Sequence, residues 1–504
     1  MTPENAVFVF MEFTVMRSIL VICIFFGLFF QTTVLLGASI EEETFQRLDQ
    51  VRQQKKKQLI EYLNKIYKKA ESIKTDAKLL GFFHLKNKYY QYQKTQTPPE
   101  SLVQTIEDLK DKINEHYIRH YHSFYDILFI SKHGDIFYTV RKQEDYHKNI
   151  FQGDLSKTAL AQQLKRHPNE TFVDYQYYTV SDEPSAFIVE PVLKEGVFEG
   201  WLALQCAINK INNMFTQDKG LGVTGEVFLV NKQNYMLTDS RFFGESSILK
   251  RDLSRENIES KFRERSGHKI VTDYRGFRAL TSFDVCRISN SEWLLIAKID
   301  ENEIITEQYK KNRETLAKSI VQSLVNENPR DCGIITPDSK LNVVDMDEFR
   351  KVTDGEICTY GVSTCTAVII SYPGKFSYMG HISSLDRIYG GETTDLISHI
   401  FKQIKTFDIY KYELRKLRAT IIANHIETVM STIDKLAEEG LFLSQIKFMH
   451  NHKAQYANVL HDYSNNRTFV EWLMDRNTGK KLRQCSLDVK TMGELVKALI
   501  GYEN

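Results

Sequence analysis

Two residues in the last third of the chain have the types and spacing that nucleophilic chemistry needs. Cys365 follows a small-residue turn, Gly361 to Thr364, and opens an apolar run from Ala367 to Ile370. His381 lies 16 residues later, after a turn at Pro373-Gly374 and a second strand-like run. A hairpin of that length brings the two side chains next to each other. A thiol beside an imidazole is the pair that attacks an amide carbonyl, because the imidazole takes the thiol proton and returns it to the departing amine. Spacing alone does not separate this arrangement from a buried cysteine packed near an unrelated histidine.

Other constellations point to chemistry less well. His450-Asn451-His452 with His461 has metal-ligand residue types but reads as solvent-facing loop histidines. Gly220-Leu221-Gly222 lacks the βαβ setting of a nucleotide loop. Asn169-Glu170-Thr171 and Asn466-Arg467-Thr468 are sequons that matter only in a secretory eukaryotic setting. Cys358 reads as a packing residue that pairs with Cys365 only under oxidation. No metal or other cofactor is expected.

The elements that must position these residues belong to a long, electrically balanced chain. Its 504 residues carry 66 Lys+Arg against 65 Asp+Glu, a net charge of +1. That balance argues against nucleic acid as a partner, since no basic excess is available for phosphates. Seven cysteines, an odd number spread over the chain, do not make a disulfide scaffold. The 23 residues from Ser18 to Ile40 are uncharged and mostly apolar, enough to span a bilayer. Arg17 precedes them and Glu41-Glu42-Glu43 follows, which orients residues 41–504 outside the cytosol. The segment is a membrane anchor, or a signal peptide cleaved near Leu36-Gly37-Ala38. Met16-Arg17 offers a second start for either.

Beyond it, Leu48, Val51, Leu59, Leu63, Ile66, Ala70, Ile73 and Leu80 follow helical spacing, with Lys55-Lys56-Lys57 as a solvated face. Pro98-Pro99 breaks the pattern before a helix near 100–117. From Tyr125 the period shortens to two, with a turn at His133-Gly134-Asp135 and strand runs at 185–193, 199–208, 226–230, 235–238, 269–272, 277–285 and 293–299. The fold class is α+β: a long amino-terminal helix entering two successive antiparallel sheet modules.

YDILFISKHGDIFYT, FVDYQYYTVSDEPSAFIVEPV, GLGVTGEVFLVNKQNYMLTDSRF and DYRGFRALTSF with WLLIAKIDENE resemble, in this order, the double Cache family of extracytoplasmic sensors. That resemblance implies two PAS-like modules, about 118–215 and 222–300, within a sensor domain of 41–303. It further implies a small-molecule ligand in the membrane-distal module, with Asp174, Tyr175, Tyr178 and Phe187 as candidate pocket residues. A homodimer formed through the long helix is a family expectation. A helical linker, 304–335, then leads to a domain over 336–504.

NVVDMDEFRKVTDGEICTYGVSTC, with the later ANHIETVMSTIDKLAEEG and DYSNNRTFVEWLMDRNTGKKL, resembles CheD, the chemoreceptor glutamine deamidase family, over about 342–490. The family pattern Thr-x-Gly-x-Gly-Ser-Cys places Cys365 as nucleophile and Thr359 as the residue that orients the histidine. His381, in Met379-Gly380-His381, takes the acid/base position. The resemblance implies an α/β layered sandwich and hydrolysis of protein glutamine side chains to glutamate with release of ammonia. Ser363, Thr364 and Ile382-Ser383 depart from the family pattern. The alternative is a non-enzymatic sensor whose last domain only binds proteins.

Overall fold

The computed structural model describes residues 40–73, 75–120, 124–167, 171–217, 220–324, 342–383, 396–407 and 411–502. Residues 18–39 of the apolar segment, and the end of the expected linker, lie outside them. No helix of the described residues is long and apolar enough to cross a membrane. The chain divides into two compact units, one of Phe45–Asp300 and one of Glu301–Asn504, with which the start of the long helix up to Thr44 is grouped.

The first unit begins on the long helix over 40–73. Its apolar stripe is buried as the spacing demands, with Leu48, Leu59, Ala70 and Ile73 at 0% exposure. The lysines on its other side are not all solvated. Lys55 donates to the Met214 and Gln217 carbonyls and Lys56 pairs with Asp284 at 2.7 Å, so only Lys57 of the three fits the expected open face. Long side chains with apolar stems dock a helix as well as leucines do when a carbonyl or carboxylate waits at the end.

Helices Ala77–Thr95 and Glu100–His120 follow, separated by the Pro98-Pro99 break. The distal module is a five-stranded antiparallel sheet in the order β2-β1-β5-β4-β3. Its strands are β1 (Asp126–Ser131), β2 (Ile136–Thr139), β3 (Phe172–Tyr178), β4 (Glu183–Lys194) and β5 (Val197–Ala207). β1 is buried on both faces. Phe129 meets Phe82 and Phe83 of the Ala77–Thr95 helix, whereas Leu128 and Ile130 face a cluster with Leu155, Leu160 and Leu164. The proximal module is the four-stranded sheet β6-β9-β8-β7, formed by β6 (Glu226–Val230), β7 (Ser266–Thr272), β8 (Arg278–Ile288) and β9 (Ser291–Asp300). The expected strand at 235–238 is reduced to isolated bridges, Val230 with Met236 and Tyr235 with Asp252.

The second unit contains two five-stranded sheets. One has the order β10-β12-β17-β18-β19: β10 (Asn342–Val343), β12 (Glu356–Val362), β17 (Tyr456–Asp462), β18 (Arg467–Asp475) and β19 (Lys480–Cys485). The other has the order β11-β14-β13-β15-β16: β11 (Phe349–Val352), β14 (Phe376–Ile382), β13 (Thr366–Tyr372), β15 (Arg418–Ala423) and β16 (Ile446–His450). Ile357, Val459, Val470 and Trp472 from the first sheet pack with Ala367, Ile369, Met379, Ile422 and Met449 from the second, so the core lies between them. The outer face of the second sheet is covered by helices: Leu396 and Ile400 of Leu396–Ile404 press on Gly380, where a Cβ would meet Leu396 at 3.0 Å.

Helices Glu301–Lys311 and Arg313–Leu324 are part of this unit rather than a bare linker. Tyr309 donates its hydroxyl to Asp434 at 3.0 Å, Arg313 pairs with the same carboxylate at 2.6 Å, and Lys497 pairs with Glu301.

Candidate functional site

The hairpin expected between Cys365 and His381 forms. β13 pairs antiparallel with β14, closing through Pro373-Gly374, and Ala367 stands opposite His381. Cys365, in the bend just before β13, packs in the same core cluster as Ala367 and Met379, and His381 shares the inner face with Met379. Both are almost fully covered, Cys365 at 5% and His381 at 3% exposure.

Thr359 arrives from the facing sheet. β12 carries a bulge between Thr359 and Val362, with Gly361 at φ +69°, a conformation that glycine adopts without strain. Thr359 Oγ1 lies 2.8 Å from His381 Nδ1 and 2.7 Å from the Val344 carbonyl. A hydroxyl has one proton, and a carbonyl can only accept, so Thr359 donates to Val344 and accepts from Nδ1–H. That arrangement assigns the proton to Nδ1 and leaves Nε2 with a lone pair. Nε2 is buried and finds no hydrogen-bond partner among the described residues. Burial pushes His381 below its ordinary value near 6.5, against the opposing pull of Asp347 and Asp345. The loop holding those aspartates is fastened to β14 by Asp347 N–H to the His381 carbonyl, 2.7 Å, and His381 N–H to the Glu348 carbonyl, 3.1 Å. The structure thus joins Thr359 and His381 and holds the imidazole in one tautomer, while Cys365 lies in the core cluster of the same strand pair without a hydrogen bond to Nε2.

Cys358 is on the opposite face of β12 from Thr359, and its thiol donates to the Tyr360 hydroxyl at 3.4 Å, away from Cys365. None of the five described cysteines forms a disulfide. The expected loop histidines separate. His450 closes β16 with Nδ1 at 3.0 Å from the Ala423 carbonyl. His461 is not on a loop: it lies inside the sandwich at 1% exposure, with Ser377 at 3.0 Å and Thr468 at 3.1 Å. Burial pushes it down to about 4, so it is held neutral. No group of acidic, histidine and cysteine side chains among the described residues is arranged to hold a metal ion.

In the first unit the four candidate ligand residues divide into two pairs. Asp174 accepts from Trp293 Nε1 at 2.9 Å, and Tyr175 packs on the same indole at 5.8 Å, so this pair ties β3 to β9. Tyr178 and Phe187 meet edge to face at 5.1 Å in the distal core, and the Tyr178 hydroxyl donates to Asp145 Oδ2 at 2.9 Å. A cavity of about 680 Å³ opens in the same module, lined by Glu144, Lys148, Asp154, Lys157 and Tyr177 among others, and by none of the four. Its volume suits a small polar molecule.

Two buried charge groups escaped the pattern reading. Asp126 and Asp145, at 2% and 1% exposure, each keep one carboxylate oxygen without a partner. Burial, with Asp145 contributing, pushes Asp126 up to about 6. In the proximal module Lys298, fully buried, has Asp273 at 2.9 Å, Glu226 at 3.3 Å and Glu256 at 3.6 Å. Asp273 is held near 2 because Lys298 and Arg275 outweigh its burial. The one available sign was a lone lysine inside the apolar run WLLIAKI.

Comparisons with known proteins agree with the first unit. The ligand-binding domain of the Pseudomonas aeruginosa PAO1 amino acid chemoreceptor PctB, in complex with L-Arg, is 13% identical, covering 38% of this chain and 85% of its own, with a TM-score of 0.28. The periplasmic sensory domain of the Campylobacter jejuni chemoreceptor Tlp1 is 11% identical, covering 53% and 98%, with a TM-score of 0.39. The ligand-binding domain of the Pseudomonas aeruginosa PAO1 chemoreceptor PctC, in complex with GABA, is 15% identical, covering 51% and 100%, with a TM-score of 0.36. No curated protein matches the chain. The family model for the Cache domain matches residues 37–308, more than half of the chain, in step with the two sheet modules and the helix that precedes them. The protein belongs to the Cache domain family.

Proposed function

We propose that this protein is a Cache ligand sensor whose second unit is a cysteine hydrolase acting on protein glutamine side chains. The observation that supports the reading is the Thr359 hydroxyl 2.8 Å from His381 Nδ1, which leaves Nε2 with an unused lone pair. The resemblance of 342–490 to glutamine deamidases supports the same assignment.

The reaction follows from these groups. Nε2 takes the Cys365 proton, and the thiolate attacks the carboxamide carbon to form a C–S bond. The imidazolium then protonates the nitrogen, the C–N bond breaks, and ammonia leaves a thioester. Water, deprotonated by Nε2, adds to the thioester; the C–S bond breaks, the carboxylic acid is released, and the thiol recovers its proton. Thr359 keeps the imidazole in the tautomer that serves both halves. No cofactor enters any step.

The sensor reading of the first unit supports a small-molecule ligand in the distal module. Its cavity carries both charge signs, Glu144 and Asp154 with Lys148 and Lys157, which suits a polar or zwitterionic molecule such as an amino acid. Exported relatives and the apolar stretch 18–40 support residues 41–504 lying outside the cytosol, anchored or secreted. A homodimer and ligand control of the hydrolase through the 301–324 helices belong to the same proposal.

The test incubates the full chain and its Cys365→Ala variant with glutamine-containing receptor fragments. Wild type is expected to release ammonia with the amide-to-acid mass gain, and the variant to release none. Equal ammonia from both would remove the enzyme and leave the second reading, a sensor with a protein-binding domain, which the burial of both reacting groups favours.

A further inference from the structure

One polar atom beside the reacting pair has no role in the chemistry above. β13 also pairs antiparallel with β15, the last pair being Thr366 with Ala423. Cys365 and Asn424 are the residues that adjoin this last pair, each in a bend just outside its strand. Ala367 and its partner Ile422 both face the core between the sheets, and Cys365 packs in that same cluster together with Ala454, the residue whose carbonyl Asn424 reaches. Cys365 thus adjoins the end of β13, which pairs with the strand of His381 on one side and with the strand that leads into Asn424 on the other.

Asn424 is 5% exposed, and its Nδ2 donates to the Ala454 carbonyl at 2.9 Å. That bond fixes which end of the amide is which, and leaves Oδ1 buried with no partner. A buried acceptor left unmade is costly, and few such atoms persist without a reason. His381 Nε2 is in the same condition. Nε2 serves the Cys365 proton in the chemistry above, so the unfilled Asn424 oxygen is the acceptor left for a molecule that brings its own N–H donor.

We propose that Asn424 recognises the primary carboxamide of the substrate, its Oδ1 accepting a hydrogen bond from the amide N–H while Cys365 approaches the carbonyl carbon. The proposal rests on the hydrolase reading and deepens it. Cys365 and His381 alone do not distinguish an amide from an acid or an ester, because both react at a carbonyl carbon. Oδ1 does distinguish them. An amide fills it with an N–H, whereas the carboxylate product presents only oxygen to oxygen and is expelled. A site built around a hydrogen bond rejects analogues that lack the donor far more strongly than a shape-based one.

The test uses two neutral alkylating probes on the full chain, iodoacetamide and its N,N-dimethyl derivative, which lacks N–H. Modification of Cys365 is followed by peptide mass, and each rate is divided by that of the same cysteine in the urea-unfolded chain. Folded wild type is expected to favour iodoacetamide by about ten-fold after this correction, the scale of one buried hydrogen bond. Asn424→Ala is expected to lose the preference. Asn424→Asp, which keeps an acceptor but not the bond to Ala454, is expected to retain it. Loss in both variants would make Asn424 structural and overturn the proposal. If neither variant folds, the wild-type ratio still decides, since no preference over the unfolded chain would overturn it. Ammonia release measured alongside separates the two ideas. Release without probe preference leaves the hydrolase standing and removes Asn424, while preference without release does the reverse.

Discussion

Thr359→Val removes one hydroxyl and changes little else in shape. Two contacts go with it, to the Val344 carbonyl at 2.7 Å and to His381 Nδ1 at 2.8 Å. Both partners stay buried, so each pays the cost of an unmade hydrogen bond, about 1–3 kcal/mol. The expected loss of stability is therefore roughly 2–6 kcal/mol, read as a lower urea midpoint with an unchanged slope. The effect on chemistry is separate. Without Oγ1 the imidazole is free to carry its proton on Nε2 and to rotate, and general-base assistance worth roughly 10²–10⁴ in rate is at risk. Thr359→Ser keeps the hydroxyl and is expected to stay within about ten-fold of wild type. Alkylation of Cys365 by iodoacetamide at neutral pH, with ammonia release from a glutamine substrate, reads the chemistry in protein shown to be folded. A folded Thr359→Val that matched wild type in both assays would refute the role given to this hydroxyl.

Other outcomes follow from the buried charges. His461, lowered from 6.5 to about 4, is neutral when folded and takes up a proton first in the unfolded chain. Stability should thus be complete above pH 6.5 and fall by roughly 3 kcal/mol toward pH 4, and His461→Gln should remove that slope from urea titrations. Asp126 has the opposite sign, because a carboxyl raised to about 6 weakens the fold as pH rises through that value. Asp126→Asn should raise the melting temperature at pH 7 by the equivalent of up to roughly 3 kcal/mol, and change little near pH 4. Lys298→Met leaves Asp273, Glu226 and Glu256 facing one another without their shared cation, and should cost about 3–5 kcal/mol in thermal or urea unfolding.

Much of this could be read along the chain. The strand runs after Tyr125 and the hairpin from Cys365 to His381 were visible because period-two alternation and a Pro-Gly turn are local properties. The long-helix stripe was visible for the same reason, although Lys55 shows that a charged residue can belong to the buried side when a distant carbonyl receives it. The ligand candidates were less legible. Asp174 and Tyr175 sit on the same strand as Tyr178, yet they turn to Trp293 while Tyr178 turns to Asp145, and no spacing rule says what waits on each face.

The sequence by itself determined the residue types and the local geometry, namely a cysteine and a histidine on adjacent strands of one hairpin. Only the tertiary structure decided their chemistry. Thr359 comes from another sheet and Asn424 from the bend after β15, about 60 residues further along. The proton on Nδ1, the open lone pair on Nε2 and the unfilled Asn424 oxygen exist because two sheets close over these groups and exclude water, which is a property of the packed core rather than of any segment.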